Sequence, residues 1–238
     1  MTIWKSFGAS VQGPGHITSG TPNQDSWKAF HHDWGDGVIV SDGVGSKPFS
    51  EFGSHTACKA VLSATLACRR DGFERMRFAD SIKDTWLSLV SPRDPRDCAA
   101  TCLFALRPGD GAIHLWALGD GLASVLKTDG SIVSLSEDKS EGFSNITAAL
   151  SPNVSPDDWR NLSLPEEECN AVLLCTDGVA DDLVDVNGFV KHFIESHRAL
   201  SLVAANRQVQ EMLKQWPTPQ HSDDKTIACL CREEVGDE

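Results

Sequence analysis

Short apolar runs that stop at an aspartate-glycine pair dominate the hydrophobic pattern of this sequence. Three of them are G-V-I-V-S-D-G-V-G at 37–45, I-H-L-W-A-L-G-D-G-L at 113–122 and A-V-L-L-C-T-D-G-V-A at 171–180. A short apolar run before a breaker is typical of a buried strand. The pattern therefore predicts that Asp42, Asp120 and Asp177 each follow a core strand at the edge of a sheet.

An Asp-Gly pair is also a common hairpin turn, because both residues tolerate the positive φ angles that such turns need. Three further pairs follow breakers or polar residues, and we predict that these are turns: Asp36-Gly37, Asp110-Gly111 and Asp129-Gly130. The aspartates at 42, 120 and 177 instead precede Gly-Val or Gly-Leu, which a solvated turn does not require. A functional role is therefore favoured for these three, with a turn as the alternative.

The remaining pattern predicts blocks of strands that enclose helix pairs. Strand patterns cover Ile3 to Val11, residues 27–32, three runs between 99 and 127 that we interpret as a meander, and Thr226 to Cys231. Apolar residues near a 3.6-residue period predict helices over 51–69, 73–89, 187–196 and 200–215. Residues 136–168 show little periodicity and are predicted to form a flap or mobile loop. We expect one domain over 1–238, with two packed sheets and helices outside them.

Composition and charge exclude several classes of protein. The 238 residues are 40% hydrophobic, which is enough for a substantial core, and the formal net charge is −13 at pH 7. That acidity argues against nonspecific binding to nucleic acids or anionic membranes. No apolar stretch approaches the roughly 20 residues of a membrane-spanning helix, and M-T-I-W-K-S lacks a signal-peptide profile. A cytoplasmic protein without membrane or nucleic-acid partners is the expectation.

The carboxylates at predicted strand ends indicate a binding site. Asp25 stands at the start of the second strand, and Asp223 and Asp224 precede the last one. Because the end of one antiparallel strand lies beside the start of the next, these acids and those at 42, 120 and 177 could share one sheet edge. Carboxylates at such close range repel one another unless cations neutralise them.

The residue types favour hard divalent cations. Oxygen ligands without a nearby cysteine or histidine suit Mg²⁺ or Mn²⁺ better than Zn²⁺, and the eight cysteines contain no paired C-x-x-C motifs. Gly43 lacks a Cβ, so its backbone carbonyl can approach a metal closely. Two ions roughly 3.5–4 Å apart can lower the pKa of a bridging water and hold a phosphoryl oxygen. This is the chemistry of a metal-assisted phosphoester hydrolase.

An ordered set of motifs resembles the metal-dependent type 2C protein phosphatases, and most closely their compact bacterial members. The motifs are N-Q-D-S at 23–26, S-D-G-V-G at 41–45, A-A-T at 99–101, L-G-D-G at 118–121, C-T-D-G-V-A-D at 175–181 and D-D-K-T at 223–226. The resemblance implies an α+β fold with a central antiparallel β-sandwich flanked by helix pairs in four layers. It also implies hydrolysis of protein phosphoserine and phosphothreonine with Mn²⁺ or Mg²⁺.

The resemblance further implies roles for individual residues. Asp42 would bridge two metal ions, Asp177 and Asp223 would hold one of them, and the Gly43 carbonyl would hold the other. The attacking water would lie between the ions, so Asp42 and Asp177 would be the residues closest to catalysis. Asp120 would help Asp177 to bind a third ion. A phosphorylated protein, a serine/threonine kinase or one of its targets, is the expected partner.

Three positions depart from the family pattern. Gln24-Asp25 stands where the family usually has Glu-Asp, so Asp25 or Gln24 must complete the second metal site, and Asp224 is a further candidate ligand or supporting residue. The phosphate-binding arginine is Gly20, which leaves Lys47 as the candidate for holding phosphate. The histidine that follows Asp-Gly in many eukaryotic members is Val44, so protonation of the leaving group would fall to water.

Two alternatives to a phosphatase follow from the same residues. A catalytically silent relative that binds phosphoproteins or serves as a scaffold is compatible with the substitutions at Gln24 and Gly20. An aspartic protease is disfavoured, because its signature is Asp-Ser/Thr-Gly, whereas this sequence has the order Ser/Thr-Asp-Gly. Retention of Asp42, Asp120, Asp177 and Asp223 favours the enzyme.

Overall fold

The computed structural model describes residues 3–68, 74–135, 148–217 and 222–233. Within these ranges the chain forms ten strands and six α-helices. The strands make two five-stranded antiparallel sheets. The predicted α+β class with a central antiparallel sandwich is confirmed.

One sheet contains the first and last strands, and we call it the terminal sheet. Its strands are β1 (Trp4–Val11), β6 (Leu122–Lys127), β7 (Ile132–Leu135), β9 (Cys169–Cys175) and β10 (Lys225–Arg232). They lie in the order β1-β10-β9-β6-β7. The two ends of the described chain are therefore neighbours, since β1 pairs with β10 along its whole length.

The second sheet, which we call the middle sheet, is built from the strands between these ends. They are β2 (Asp25–His32), β3 (Gly35–Asp42), β4 (Cys102–Arg107), β5 (Ala112–Leu118) and β8 (Arg160–Pro165), in the order β2-β3-β4-β5-β8. The β2-β3 hairpin has the register Asp25 opposite Asp42. This register places two acids side by side at the open end of the hairpin.

Helices cover the outer face of each sheet. The six are α1 (Pro14–Ser19), α2 (Ser50–Cys68), α3 (Arg75–Val90), α4 (Asp177–Ala180), α5 (Val186–His197) and α6 (Leu202–Lys214). Residues of α2 and α3 pack on the middle sheet, and residues of α5 and α6 pack on the terminal sheet. Side-chain caps begin the last two helices, where Asp185 accepts from Gly188 N–H and Ser201 accepts from Ala204 N–H. None of the described helices is both long and apolar enough to cross a bilayer.

Burial on both faces explains the unbroken apolar runs in the central strands. In β3, Val38 and Val40 face the space between the sheets, whereas Ile39 faces the helices. A strand covered on only one side would alternate apolar and polar residues, but here both sides need apolar ones. The described cysteines are free and buried, as expected for reduced thiols: Cys58, Cys98, Cys102, Cys169, Cys175, Cys229 and Cys231.

Three local predictions were wrong. Asp36-Gly37 lies inside β3 rather than in a turn, because the chain reverses earlier, at residues 33–34. The three runs between 99 and 127 do not form one meander, since β6 leaves β5 and joins the other sheet. The irregular segment predicted over 136–168 contains β8, which pairs with β5 at the sheet edge. Residues 136–147 of that segment lie outside the described residues.

Candidate active site

The middle sheet brings Asp25 and Asp42 together and fixes the Asp42 backbone. The Asp42 N–H donates to the Thr101 hydroxyl at 2.9 Å, and the Thr101 N–H donates to the Asp42 carbonyl at 2.7 Å. Both hydrogen bonds join the end of β3 to the residue that precedes β4. The A-A-T motif at 99–101 therefore holds the strand end that carries Asp42.

The terminal sheet brings three more acids to one end. Cys175, the last residue of β9, pairs with Leu122 on one side and Ile227 on the other. Asp120 stands two residues before Leu122, and Asp177 stands two residues after Cys175. Asp223 directly precedes Asp224 and the start of β10. The antiparallel register therefore gathers all of these carboxylates where the strands end, on one side of the sheet. We call this region the acidic end.

The two sheets are joined at this edge by hydrogen bonds. The Thr176 hydroxyl donates to Asp25 Oδ2 at 2.8 Å and accepts from Thr226 N–H at 3.1 Å. Asp224 Oδ2 accepts from the backbone N–H of Gln24 at 2.6 Å. Acids from both sheets therefore lie within electrostatic range of one another at the acidic end.

Asp223 and Asp224 have different environments. Asp224 is 1% exposed, and its two carboxylate oxygens accept from Gly13 N–H at 2.7 Å, from Gln24 N–H and from His16 Nδ1 at 2.8 Å. Asp223 has a side chain that is 45% exposed. Asp224 therefore holds the segments around Gly13 and Gln24 in place, whereas the Asp223 carboxylate is accessible to a ligand.

His16 and Thr176 are site residues that sequence reasoning missed. His16, Asp223 and Asp224 place potential ligand atoms within 4.8 Å of one another. His16 contacts an acid 208 positions away, and Thr176 contacts one 151 positions away. The local signal for His16 is weak: it directly follows the chain break Gly13-Pro14-Gly15.

The acids repel one another in the absence of cations. Burial raises the pKa of Asp25 to about 7, and the charge of Asp224 adds to this effect, although hydrogen bonds from Thr226, Asp42 and Thr176 oppose it. Burial also raises the pKa of Asp42 well above its usual range, and the charges of Asp25 and Asp177 raise it further. These effects require the carboxylates of both sheets to lie within electrostatic range of one another.

Asp177 lies within electrostatic range of Asp120 and Asp223. Burial raises the pKa of Asp177 to about 6, and the next two contributions come from the charges of Asp120 and Asp223. A group of oxygen ligands with strong mutual repulsion fits hard divalent cations, because positive charge at its centre relieves that repulsion. The residues present therefore fit the group of metal ions that the resemblance implies.

Gly43 is required here by packing. A Cβ at this position would lie 2.5 Å from the Ser50 carbonyl oxygen at the start of α2. The Gly43 N–H donates to the Gln24 carbonyl at 3.0 Å, which ties the residue after Asp42 to the residue before Asp25. The absence of a side chain thus lets α2 approach the acidic end.

A family model described as Protein phosphatase 2C matches residues 12–214 of the sequence. The chain belongs to the protein phosphatase 2C family. No protein of curated function matches the sequence significantly. The family assignment supports a phosphatase as the general class of this protein.

Several solved structures share the fold. A bacterial serine phosphatase is 17% identical, with a TM-score of 0.66 over 99% of this chain and 100% of the other. RsbX in complex with magnesium is 13% identical, with a TM-score of 0.64 over 98% and 100%. The catalytic domain of the serine/threonine phosphatase PstP with two manganese ions is 16% identical, with a TM-score of 0.62 over 98% and 100%. At these identities the likeness shows the fold alone.

The structure gives a physical reason for the departure at Gly20 and a role for the residue at position 24. Gly20 caps the C-terminus of α1 with φ at 72°, in the left-handed region where an arginine would be strained. Gln24 is 7% exposed, and its backbone N–H and carbonyl bond Asp224 and Gly43. Gln24 therefore supports the site through its backbone, and Asp25 is the residue that faces Asp42.

Lys47 and Val44 lie on one side of the acidic end in this phosphatase 2C chain. The Lys47 N–H donates to the Val44 carbonyl at 2.9 Å, and the Val44 N–H donates to the Ala99 carbonyl at 2.9 Å. Both side chains line a cavity of about 500 Å³. Lys47 thus lies on the segment that follows Gly43 and lines this cavity.

Proposed function

We propose that the chain is a metal-dependent protein phosphatase that hydrolyses phosphoserine and phosphothreonine using Mn²⁺ or Mg²⁺. The observation that carries the proposal is the convergence of five carboxylates from two sheets: Asp25, Asp42, Asp120, Asp177 and Asp223. Membership of the phosphatase 2C family supports it. The manganese ions of the PstP structure and the magnesium of the RsbX structure support the choice of cation.

Each acid has a proposed role in holding cations. Asp42 would contribute to two ions, Asp177 and Asp223 would hold one of them, and the Gly43 carbonyl would hold the other. Asp25 would complete the second ion's surroundings, since it faces Asp42 across the hairpin. Asp120 with Asp177 would hold a third ion. Divalent cations in such a site lower the pKa of a bound water and neutralise charge on phosphoryl oxygens.

Neighbouring residues would orient these acids and the substrate. Thr176 fixes one oxygen of Asp25, and Asp224 fixes the backbone of Gln24. Lys47 would hold the phosphate of the substrate as a point charge. Val44 offers no proton, so solvent would protonate the leaving group. A phosphorylated protein, a serine/threonine kinase or one of its targets, would be the partner.

The decisive experiment is Mn²⁺-dependent hydrolysis of p-nitrophenyl phosphate by the wild-type chain and by Asp42→Asn. We expect the variant to lose at least about 100-fold in kcat/KM, because a metal site supplies several kcal/mol of transition-state stabilisation. Calorimetric titration with Mn²⁺ should show weaker binding in the same variant. Asp33→Asn is the matched control, since Asp33 is exposed in the β2-β3 turn.

Wild-type turnover no higher than that of Asp42→Asn would contradict the proposal. If Mn²⁺ still bound to the wild-type chain, the protein would be a phosphoprotein-binding or scaffold member of the family without catalysis. The calorimetric arm separates this result from a protein that has no cation site.

A further inference from the structure

A cavity of about 500 Å³ adjoins the acidic end. Its lining includes Val44, one residue after Gly43, and Ala99, whose carbonyl accepts the Val44 N–H. The volume lies within the range of ligand-binding clefts. Since Gly43 and Ala100 also form a β-bridge, the cavity and the acidic end share one piece of backbone.

The cavity has apolar walls and cationic side chains. The apolar part is made by Val44, Ala99, Ala148, Ala149 and Val154, and the cations are Lys47 and Arg96. Asp158 also lines the cavity, but its carboxylate accepts from Ser155 N–H at 2.8 Å and from the Ser155 hydroxyl. The lining thus combines aliphatic contact with positive charge in a protein whose net charge is −13.

Asp94 pairs with Arg96 at the surface, where the Arg96 side chain is 77% exposed. The Asp94 carboxylate accepts from the Arg96 backbone N–H at 2.9 Å, from Nε at 3.1 and 3.2 Å and from Nη2 at 2.6 Å. This contact lowers the pKa of Asp94 to about 2. The Nη1 group takes no part in this contact, so the planar guanidinium keeps donors on its other edge for a second carboxylate.

Lys47 supplies a second positive charge that the described protein does not neutralise. No ion pair joins Lys47 to another residue within the described ranges. The cavity therefore favours anionic occupants next to the proposed phosphate position.

We propose that this cavity receives the segment that flanks the phosphorylated residue of a substrate, and that Arg96 selects an acidic side chain in that segment. The inference rests on the proposed phosphatase function. Arginine binds carboxylates in a bidentate manner, and the contact with Asp94 favours the orientation in which the other edge of the Arg96 guanidinium is free to donate. The apolar walls would cover the aliphatic part of the flanking side chains.

Fluorescently labelled phosphoserine peptides test the inference by their dissociation constants, measured in chelator so that the proposed phosphatase activity does not consume the peptides. The peptides carry Glu, Ala or Lys at the position directly before or directly after phosphoserine. We expect the wild-type chain to bind Glu over Lys by about tenfold at one of these positions, because Arg96 forms a charge-assisted hydrogen bond with Glu and none with Lys. Arg96→Ala should abolish this preference, and Arg96→Glu should reverse it.

Arg77→Ala is the matched control, because Arg77 is an exposed arginine on α3 whose one ion pair within the described ranges is a long contact of 3.8 Å with Glu74. This variant should keep the wild-type preference. Equal binding of the Glu and Lys peptides at both positions, or a preference that survives Arg96→Ala, would overturn the inference. Hydrolysis of p-nitrophenyl phosphate in parallel reports the proposed function separately, since that substrate has no flanking segment.

Discussion

Thr176 joins the two sheets through a single buried hydroxyl. It donates to Asp25 and accepts from Thr226 N–H, so replacement by Val removes one donor and leaves one backbone N–H without its acceptor. We expect Thr176→Val to lower the free energy of unfolding by about 1–3 kcal/mol and to weaken Mn²⁺ binding. Urea denaturation in chelator and calorimetric titration with Mn²⁺ measure the two effects.

Thr176→Ser separates positioning of Asp25 from simple packing. Serine keeps the hydroxyl and loses the methyl group, so it should recover most of the Mn²⁺ affinity while recovering less of the stability. A Val variant that binds Mn²⁺ as tightly as the wild-type chain would show that Asp25 needs no orientation by Thr176.

At the scale of elements, the short helix α4 approaches β10 too closely for any side chain at Gly178. A Cβ there would lie 1.9 Å from the Asp224 carbonyl oxygen. Gly178→Ala must therefore move α4, which carries Asp177, away from the segment that carries Asp223. We expect a loss of about 1–3 kcal/mol in stability and weaker Mn²⁺ binding, measured by urea denaturation and calorimetry.

Gly45→Ala is the control for this substitution. Among the described residues, a Cβ at Gly45 would meet Gln24 Oε1 alone, at 3.6 Å, which is an ordinary contact. This variant should keep the stability of the wild-type chain. Equal stability of Gly178→Ala and Gly45→Ala would mean that α4 and β10 separate freely, and that the two acids need no fixed spacing.

For the whole molecule, the repulsion among the acids makes stability depend on pH when cations are removed. The pKa of Asp25 is raised from 3.8 to about 7, and that of Asp177 from 3.8 to about 6. The folded protein then binds more protons than the unfolded chain between these values, so stability falls as pH rises from about 4 to about 7. Urea denaturation in chelator at pH 5 and pH 8 should show the lower midpoint at pH 8.

Two comparisons isolate the cause. Asp25→Asn should flatten the dependence on pH, because it removes one of the shifted acids. Saturating Mn²⁺ should raise the midpoint at pH 8 more than at pH 5, since cations bind the charged carboxylates. A midpoint in chelator that rises from pH 5 to pH 8 would mean that the acids do not repel one another in the folded chain.

The sequence predicts the parts of this molecule that depend on local pattern. Apolar runs before Asp42, Asp120 and Asp177 identify the strand ends, since those strands are buried on both faces. The predicted pairing of β5 with β6 was wrong because a short connection can join two strands of the same sheet or of different sheets. The prediction of a turn at Asp36 was wrong because the contact that stabilises Asp36, an ion pair with Arg107 at 2.8 Å, comes from another strand.

Residues whose role depends on distant partners are invisible to the same analysis. Asp224 and Asp223 are adjacent in sequence and identical in type, and only the bonds to Gly13, His16 and Gln24 distinguish them. The position of Arg96 beside a cavity likewise could not be predicted from the sequence, because distant residues such as Ala99 and Ala148 form the cavity together.

The position of β10 between β1 and β9 affects synthesis of the protein on the ribosome. A nascent chain that has emerged as far as residue 180 already contains four of the five acids, yet β1 still lacks its partner. The bond from Gly13 to Asp224 spans 211 positions, so folding of this sheet waits for the last strand. A chain that stops before β10 would therefore lack both Asp223 and the strand that joins β1 to β9, so we expect it neither to complete this sheet nor to gather all five acids.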